Sequence, residues 1–443
     1  FHKALIYYPP KLLTRIRLWY YNHNSSQSIM LANPALFTDS GRSGASFYIN
    51  PQEYTNYRRR HVMRGTLVDA LLIQPLLRGE PAIWCAELAQ RHGGMAKLHL
   101  PGRRGFWILS NPQAVTHVLT SHDYDKGGPF YQTIARALGD GLFTTNDEQL
   151  WTRLHNAMWP SLRHQELEAG QLGALTASLW LRRMQGWQLA RPVELFAELK
   201  EFSIELLATY LFGAEVNSAK LARLTREVFA GMAGRVFLPA QFPGGQRYAQ
   251  VTQALMGEID QIIAQRAGHL PQGTLLDALL RAKPAFTASQ LRDQVVTMLM
   301  AGHDSTATVL SWALIRLSER KELYDQIRQE VLAADTLTTP SILRVIRAAS
   351  HEHPAFPMFP RNVARATRLM GHQLKTGDQL VVSLHGLHRT PGSWGEFDQF
   401  LKADRVGLTP EQRNAHKPFG AGKRKCPGED FALYTGAIAL TLF

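Results

Sequence analysis

Residues 287–320 read as one uninterrupted helix, and no other stretch constrains the fold as strongly. Thr287 and Gln290 have capping-box spacing and Phe286 and Leu291 that of a hydrophobic staple, so the helix is predicted to start at about Ala288. Good helix formers without proline carry it to about Arg320. At ~1.5 Å per residue it would be roughly 45–50 Å long, enough to cross a whole domain. Such a helix has to be central. The chain has 443 residues, 45% hydrophobic and 19% charged, which supports a large core. Helical stretches with few strand signals, and no internal repeat, point to one large, mainly α domain with small β-sheets.

The segment Phe419-Gly420-Ala421-Gly422-Lys423-Arg424-Lys425-Cys426-Pro427-Gly428 sets one cysteine in a glycine-bracketed, cationic loop. Nearby Lys and Arg charge lowers a thiol pKa and turn N–H groups donate to a sulfur anion, so Cys426 is expected to deprotonate readily. The only other cysteine is Cys85, and no Cys-x-x-Cys or His-x-x-x-His spacing surrounds Cys426. Tetrahedral zinc and iron–sulfur clusters are therefore disfavoured. A single thiolate suits an axial haem ligand, where it favours O–O bond cleavage. The plainer alternative is a buried thiol in a loop before a helix. Cys85, inside the amphipathic stretch 82–88, reads as core packing. So few cysteines argue against a disulfide framework and for a reducing, cytoplasmic compartment.

The loop resembles that of the cytochrome P-450 family of haem-thiolate monooxygenases, whose pattern Phe-x-x-Gly-x-Arg-x-Cys-x-Gly is met at Phe419, Gly422, Arg424, Cys426 and Gly428. The resemblance implies that Cys426 ligates the iron of haem b and that the other loop residues frame the cofactor. It makes the long helix the distal helix over the haem. There Ala301-Gly302 would let the backbone approach the porphyrin, while Asp304 and Ser305 take the family's acid and alcohol positions as a catalytic proton relay. His303 reads as a solvent- or loop-facing side chain and Thr306 as a packing hydroxyl. Trp151 and His155, the latter where the family carries Arg, would contact a haem propionate, His155 with a pH-dependent charge. Arg361, at the end of Pro354–Arg361, would be a second propionate donor. Met298, Ala301, Phe356, Pro357, Met358 and Phe359 fall where the family lines its substrate pocket.

The resemblance covers about 65–443, the haem domain, and leaves 1–64 as an aromatic and basic N-terminal extension. The sequence stops at Phe443, before the C-terminal hairpin usual in the family, so either the enzyme is trimmed there or the hairpin lies beyond this sequence. The largest departure precedes Pro354. The family's Glu-x-x-Arg pair is replaced by Ala348 and His351, and no acidic residue occurs from 341 to 350. Leu401-Lys402-Ala403-Asp404-Arg405 stands in for the partner meander, leaving Arg405 as a displaced candidate. Breaking a buried charge network costs ~3–5 kcal/mol, whereas replacing all of it is often close to neutral. Both sides have changed, so a replaced support is expected, with haem held less rigidly.

A net charge of +13 attracts acidic partners. Lys417, Lys423, Arg424 and Lys425 cluster around the cysteine loop, the side from which the family receives electrons. An acidic ferredoxin or flavodoxin with its reductase, drawing on NAD(P)H, is the implied partner, and an acidic carrier protein bearing a tethered substrate the second. No nucleic-acid motif is present. No apolar run reaches ~18 residues, so no transmembrane anchor is expected. The implied function is insertion of one oxygen atom from O2 into a small apolar substrate by a monomer of secondary metabolism. Two other readings stand beside it: a peroxide-dependent oxygenase of the same fold, and a non-catalytic haem- or carrier-binding protein.

Overall fold

The computed structural model describes strands at 17–23 and 26–32, and residues 81–98, 105–187, 193–213, 216–235, 245–268, 273–390 and 397–443. Most of the N-terminal extension, including Arg58–His61, lies outside the described residues. Strands β1 (Arg17–His23) and β2 (Ser26–Ala32) pair antiparallel. After them come α1 (Pro81–Arg91), β3 (Met95–Leu98), β4 (Phe106–Leu109), α2 (Pro112–Thr120), β5 (Tyr124–Asp125) and α3 (Pro129–Leu138). A helical stretch follows with α4 (Glu148–Leu162), α5 (His164–Ala169), α6 (Leu172–Gln185), α7 (Leu195–Phe212), α8 (Ser218–Arg235), α9 (Gly245–Ala267), α10 (Leu275–Leu280), α11 (Ala288–Ser318), α12 (Lys321–Ala333) and α13 (Pro340–Glu352). The chain then forms β6 (Met358–Val363), β7 (Thr367–Leu369), β8 (His372–Leu374), β9 (Gln379–Ser383) and α14 (Leu384–Leu387). It closes with α15 (Phe397–Val406), α16 (Pro410–Ala415) and α17 (Glu429–Leu442).

Helix α11 is the predicted central helix. Thr287 Oγ1 accepts from Gln290 N–H, and the Gln290 side chain accepts from Thr287 N–H, closing the capping box. Phe286 and Leu291 are both buried. The helix stops two residues short of the expected end, at Ser318, because Arg320 leaves helical geometry and reaches Asp398 of α15 at 2.7 and 2.9 Å. The main core surrounds α11 with Trp180 of α6, Phe202 and Leu211 of α7, Val345 and Ile346 of α13, and Ala437 of α17. Helix α7 is its closest companion, and the contact is set by Gly302. A Cβ at Gly302 would stand 2.7 Å from Leu207 Cδ2. The close approach this glycine allows on the Cβ side is helix to helix, against Leu207.

A sheet in the order β3-β4-β9-β6-β5 forms the second part of the body. Its parallel pair, β4 and β9, carries the buried run Trp107, Ile108 and Leu109 opposite Leu380 and Val382, as expected for strands covered on both faces. Asp378, itself buried, accepts from Gly105 N–H, Lys375 N–H and Trp107 Nε1–H, so its charge is satisfied where β9 begins. Cys85 lies buried in α1, as expected, and burial pushes its thiol up to about 12.

Replacing Gly302 with Val is expected to overpack the α7–α11 seam and cost about 1–3 kcal/mol of stability. Leu207→Ala should recover at least ~0.5 kcal/mol of that loss in a double-mutant cycle read by urea unfolding; strict additivity would mean the two residues do not oppose each other.

Candidate active site

Backbone bonds build the cysteine loop. Gly420 N–H donates to the Lys417 carbonyl at 2.9 Å, Lys425 N–H to Gly422 O at 3.1 Å, and Cys426 N–H to Phe419 O at 2.9 Å. Gly420 and Gly422 have φ of +76° and +69°, conformations that side-chain-bearing residues rarely adopt. At Gly422 a Cβ would also sit 2.2 Å from the Leu119 carbonyl oxygen, so the loop is pressed against the end of α2. Gly428 caps α17, whose Glu429–Leu442 helix carries the loop onto α11: Gly436 faces Leu310 and Ile346. Cys426 lies deep within the body, yet its side chain is open. The expectation of ready deprotonation does not hold for the protein groups alone. Burial pushes the thiol up to about 11, against the opposing pull of the Gly428 N–H and of Lys425 and Lys126.

Around this loop the cations turn inward. Arg424 donates to Thr145 O at 3.1 Å and to Glu148 Oε1 at 2.6 Å, and Lys423 pairs with the same carboxylate. Both lie over the Trp151 ring, 4.9 and 5.0 Å from its centre. Helix α4 thus supplies an acid and an indole to clamp the loop. His155 is stacked between Trp151 at 4.8 Å and Trp159 at 5.3 Å. Arg361 is buried and donates to Tyr131 Oη at 2.8 Å. Lys126, also buried, donates to Phe143 O at 2.7 Å; burial first, then Arg361 and Arg424, holds its pKa well below the usual lysine range. Sequence reasoning missed Lys126, Tyr131 and Glu148, which belong to no motif. Lys417 does not join a docking face, because it is buried. Lys423 and Lys425 are exposed but paired with Glu148 and Glu429.

On α11, Ser305 Oγ donates to Ala301 O at 2.7 Å and Thr308 Oγ1 to Asp304 O at 2.8 Å, so both hydroxyls are satisfied within the helix. Asp304 faces α7 and meets Lys200 Nζ at 2.7 Å. Adjacent helical residues point in different directions, and among the described residues no hydrogen bond joins the Asp304 and Ser305 side chains. His303, expected to face solvent or a loop, is buried; its Nδ1–H donates to Leu299 O at 3.1 Å and its ring meets Phe229 edge-on. Burial lowers its pKa.

Asp304 opens onto a cavity of about 600 Å³ between α7, α8, α11 and the segment entering β6. Phe196, Phe229, Trp312, Pro354 and Pro357 give it apolar walls, and Glu194, Lys200, Arg226, His353 and His385 add charged and polar edges beside Asp304. Burial lowers His353 to about 3 and His385 to about 4, with neighbouring arginines adding to both shifts, so both imidazoles are neutral near pH 7. Of the expected pocket residues only Pro357 lines this cavity. Phe356 is largely exposed beside Phe143. Met358 and Phe359 alternate on β6 and pack on two different sheet clusters, and Met298 packs on the main core.

The family model described as cytochrome P-450 matches residues 66–443. The chain belongs to the cytochrome P-450 family. Among curated relatives it is 26% identical to cyclooctatin synthase of Streptomyces melanosporofaciens, over 82% of this chain and 84% of that one. It is 25% identical to the chloroplastic carotene epsilon-monooxygenase of Arabidopsis thaliana, over 77% and 72%. A solved cytochrome P450DA heme domain superposes with a TM-score of 0.73 at 23% identity, covering 82% of this chain and 86% of that chain.

A cytochrome P-450 binds haem and works as a monooxygenase with electrons derived from reduced nicotinamide through a redox partner. The residues present fit that group. Lys126, Arg361 and Arg424 converge near Cys426 with Glu148 as the carboxylate set among them, a surplus of buried positive charge that two propionates would neutralise. Where the family has its glutamate, Ala348 is packed in the core; where it has the arginine, His351 stacks on His388 and shares a hydrogen bond with His416, Nδ1 to Nδ1 at 3.0 Å. The support is therefore replaced, as expected. The side chain of Arg405 lies outside the described residues. Glu352, one residue beyond His351, pairs twice with Arg316 at 2.7 Å and ties α13 to α11. No described helix is long and apolar enough to cross a membrane.

Gly422→Ala is expected to destabilise the fold by about 1–3 kcal/mol in urea, since it strains φ and drives Cβ into the Leu119 carbonyl. An unchanged midpoint would mean the loop does not press on α2.

Proposed function

We propose that this cytochrome P-450 ligates haem through Cys426 and oxidises isoprenoid hydrocarbons. Haem held by a thiolate supplies oxygen activation, because sulfur donation favours O–O cleavage. The observation that carries the substrate reading is the cavity walled by Phe196, Phe229, Trp312, Pro354 and Pro357, with both of its imidazoles neutral. Such a surface binds an apolar ligand, and carotene, which one relative's name records, is an isoprenoid hydrocarbon.

The chain's own residues divide the remaining work. Arg361, Lys126 and Arg424 hold the propionates, with Trp151 beneath Arg424 and His155 at its flank. Asp304, held by Lys200 at 2.7 Å on the cavity wall, exchanges protons with cavity water, while Ser305 Oγ, donating to Ala301 O, keeps free lone pairs to accept from a water of its own. Residues 65–443 form the haem domain and 1–64 an extension. The exposed ammonium groups of Lys423 and Lys425 meet an acidic ferredoxin or flavodoxin in the cytoplasm, exchanging their pairings with Glu148 and Glu429 for the partner's carboxylates.

Cys426→Ser is expected to abolish the carbon monoxide absorbance signature of a thiolate-bound ferrous haem; its persistence would refute the ligand assignment. With a surrogate ferredoxin system, isoprenoid hydrocarbons should shift the haem spectrum and yield oxygenated products, and reduction should slow steeply with added salt. Turnover of fatty acids alone would overturn the substrate class, and equal turnover with peroxide alone would favour the peroxide reading. Lys200→Met should lower product formed per electron by removing the partner that holds the Asp304 carboxylate at 2.7 Å; unchanged coupling would mean that the pair does not position Asp304.

A further inference from the structure

His351, His388 and His416 come from three separate stretches and form one buried stack of imidazoles. The His351 ring lies 4.4 Å from that of His388 and 5.2 Å from that of His416, and Phe400 of α15 closes the stack at 4.9 and 4.7 Å from His351 and His416. The described residues hold no group fit for a metal ion, so the cluster is not a ligand set. Its hydrogen bonds fix its chemistry. His388 Nδ1 is 2.7 Å from the His351 carbonyl oxygen, which can only accept, so Nδ1 carries the proton. His388 Nε2 takes the Lys417 N–H at 3.2 Å, which can only donate, so Nε2 is bare. From Lys417 the path runs on: its carbonyl accepts from Gly420 N–H, and Phe419 O accepts from Cys426 N–H, both at 2.9 Å.

We propose that His388 is the positioning residue that anchors the cysteine loop to α13, and that protonation of the histidine stack releases the loop. The inference rests on the reading of Cys426 as the haem ligand. A second proton on His388 would set N–H against the Lys417 N–H and break the hydrogen bond from His388 to the residue that leads into the loop. Charged and titratable groups around the stack oppose that proton. His351 and Arg347 act from α13, Arg389 from beyond α14, and His416 and Lys417 from beyond α16, while Glu352 is committed to Arg316. Burial, with these charges added, holds His388 and His416 well below the usual imidazole range. A histidine whose pKa is lower folded than unfolded contributes stability that is full above the unfolded value of ~6.5 and is lost as pH falls below it. Acid therefore loosens the cysteine loop.

The test uses the full-length, haem-loaded protein and follows the thiolate signature of its ferrous carbon monoxide complex between about pH 8 and pH 5. His388→Gln keeps an acceptor for the Lys417 N–H but takes no proton. It should hold the neutral-pH thiolate fraction within about twofold while its acid midpoint falls by about one pH unit. His388→Phe keeps the stacking and removes both bonds, and should cut the thiolate fraction about tenfold with haem still bound, the order expected for one lost buried hydrogen bond. An unchanged midpoint in the first variant, or a wild-type thiolate fraction in the second, overturns the proposal. Should the phenylalanine variant fail to fold, the glutamine variant decides, together with the nitrogen resonances of 15N-labelled His388. An Nδ1–H tautomer is expected there, and an Nε2–H tautomer or a cation at neutral pH overturns the anchor. A wild type without any thiolate signature would instead refute the assignment of Cys426, and the tautomer would still judge the anchor on its own.

Discussion

The contact between Gly422 and the Leu119 carbonyl is the constraint on which the site is built. It leaves no room for a side chain at that position, so the loop must take left-handed backbone there and lie flat on α2. Once it does, Phe419 O and Cys426 N–H meet, Arg424 is directed at Glu148, and α17 leaves at an angle that lays Gly436 on Leu310 of the central helix. The sulfur's position thus follows from backbone geometry and close packing, while the surrounding charges adjust to it.

Those charges are unusual in being mostly of one sign and mostly buried. Lys126 and Arg424 have Glu148 as a nearby carboxylate, and burial first, then Arg361 and Arg424, pulls the Lys126 pKa well below the usual lysine range. A protein interior tolerates such an excess only where another anion completes it, which two propionates would do. Surrounding protein atoms raise the Cys426 thiol pKa against the opposing pull of Lys425 and Lys126, even though its side chain stays open.

Behind the loop, the imidazoles of His351, His388 and His416 lie where an ion network would otherwise sit. Burial holds His388 and His416 well below the usual imidazole range, so these two rings avoid the desolvation cost of buried ions while keeping directional hydrogen bonds. A bond such as the 2.7 Å contact from His388 to the His351 carbonyl is worth about 0.5–1.5 kcal/mol net. The arrangement accepts a narrower pH range in return, because imidazoles titrate where arginine and glutamate do not. The ion pair that does survive, Arg316 with Glu352, sits at the end of α13 and ties it to α11.

The sequence by itself determined the central helix with its capping box, the cysteine loop and its order in the chain, and the loss of the glutamate at Ala348. Each is a local or motif-spaced property, written in propensity, capping chemistry or fixed register. Only the tertiary structure decided that Gly302 serves Leu207, that His303 is buried, that Lys417 is unavailable to a partner, and that Met358 and Phe359 turn away from the cavity. It alone brought Lys200 to Asp304 and assembled His351, His388 and His416 from three distant stretches. The physical reason is common to all of these: burial, and with it charge state and hydrogen-bond partner, is set by which faces of separate elements meet, and no single segment of the chain encodes that meeting.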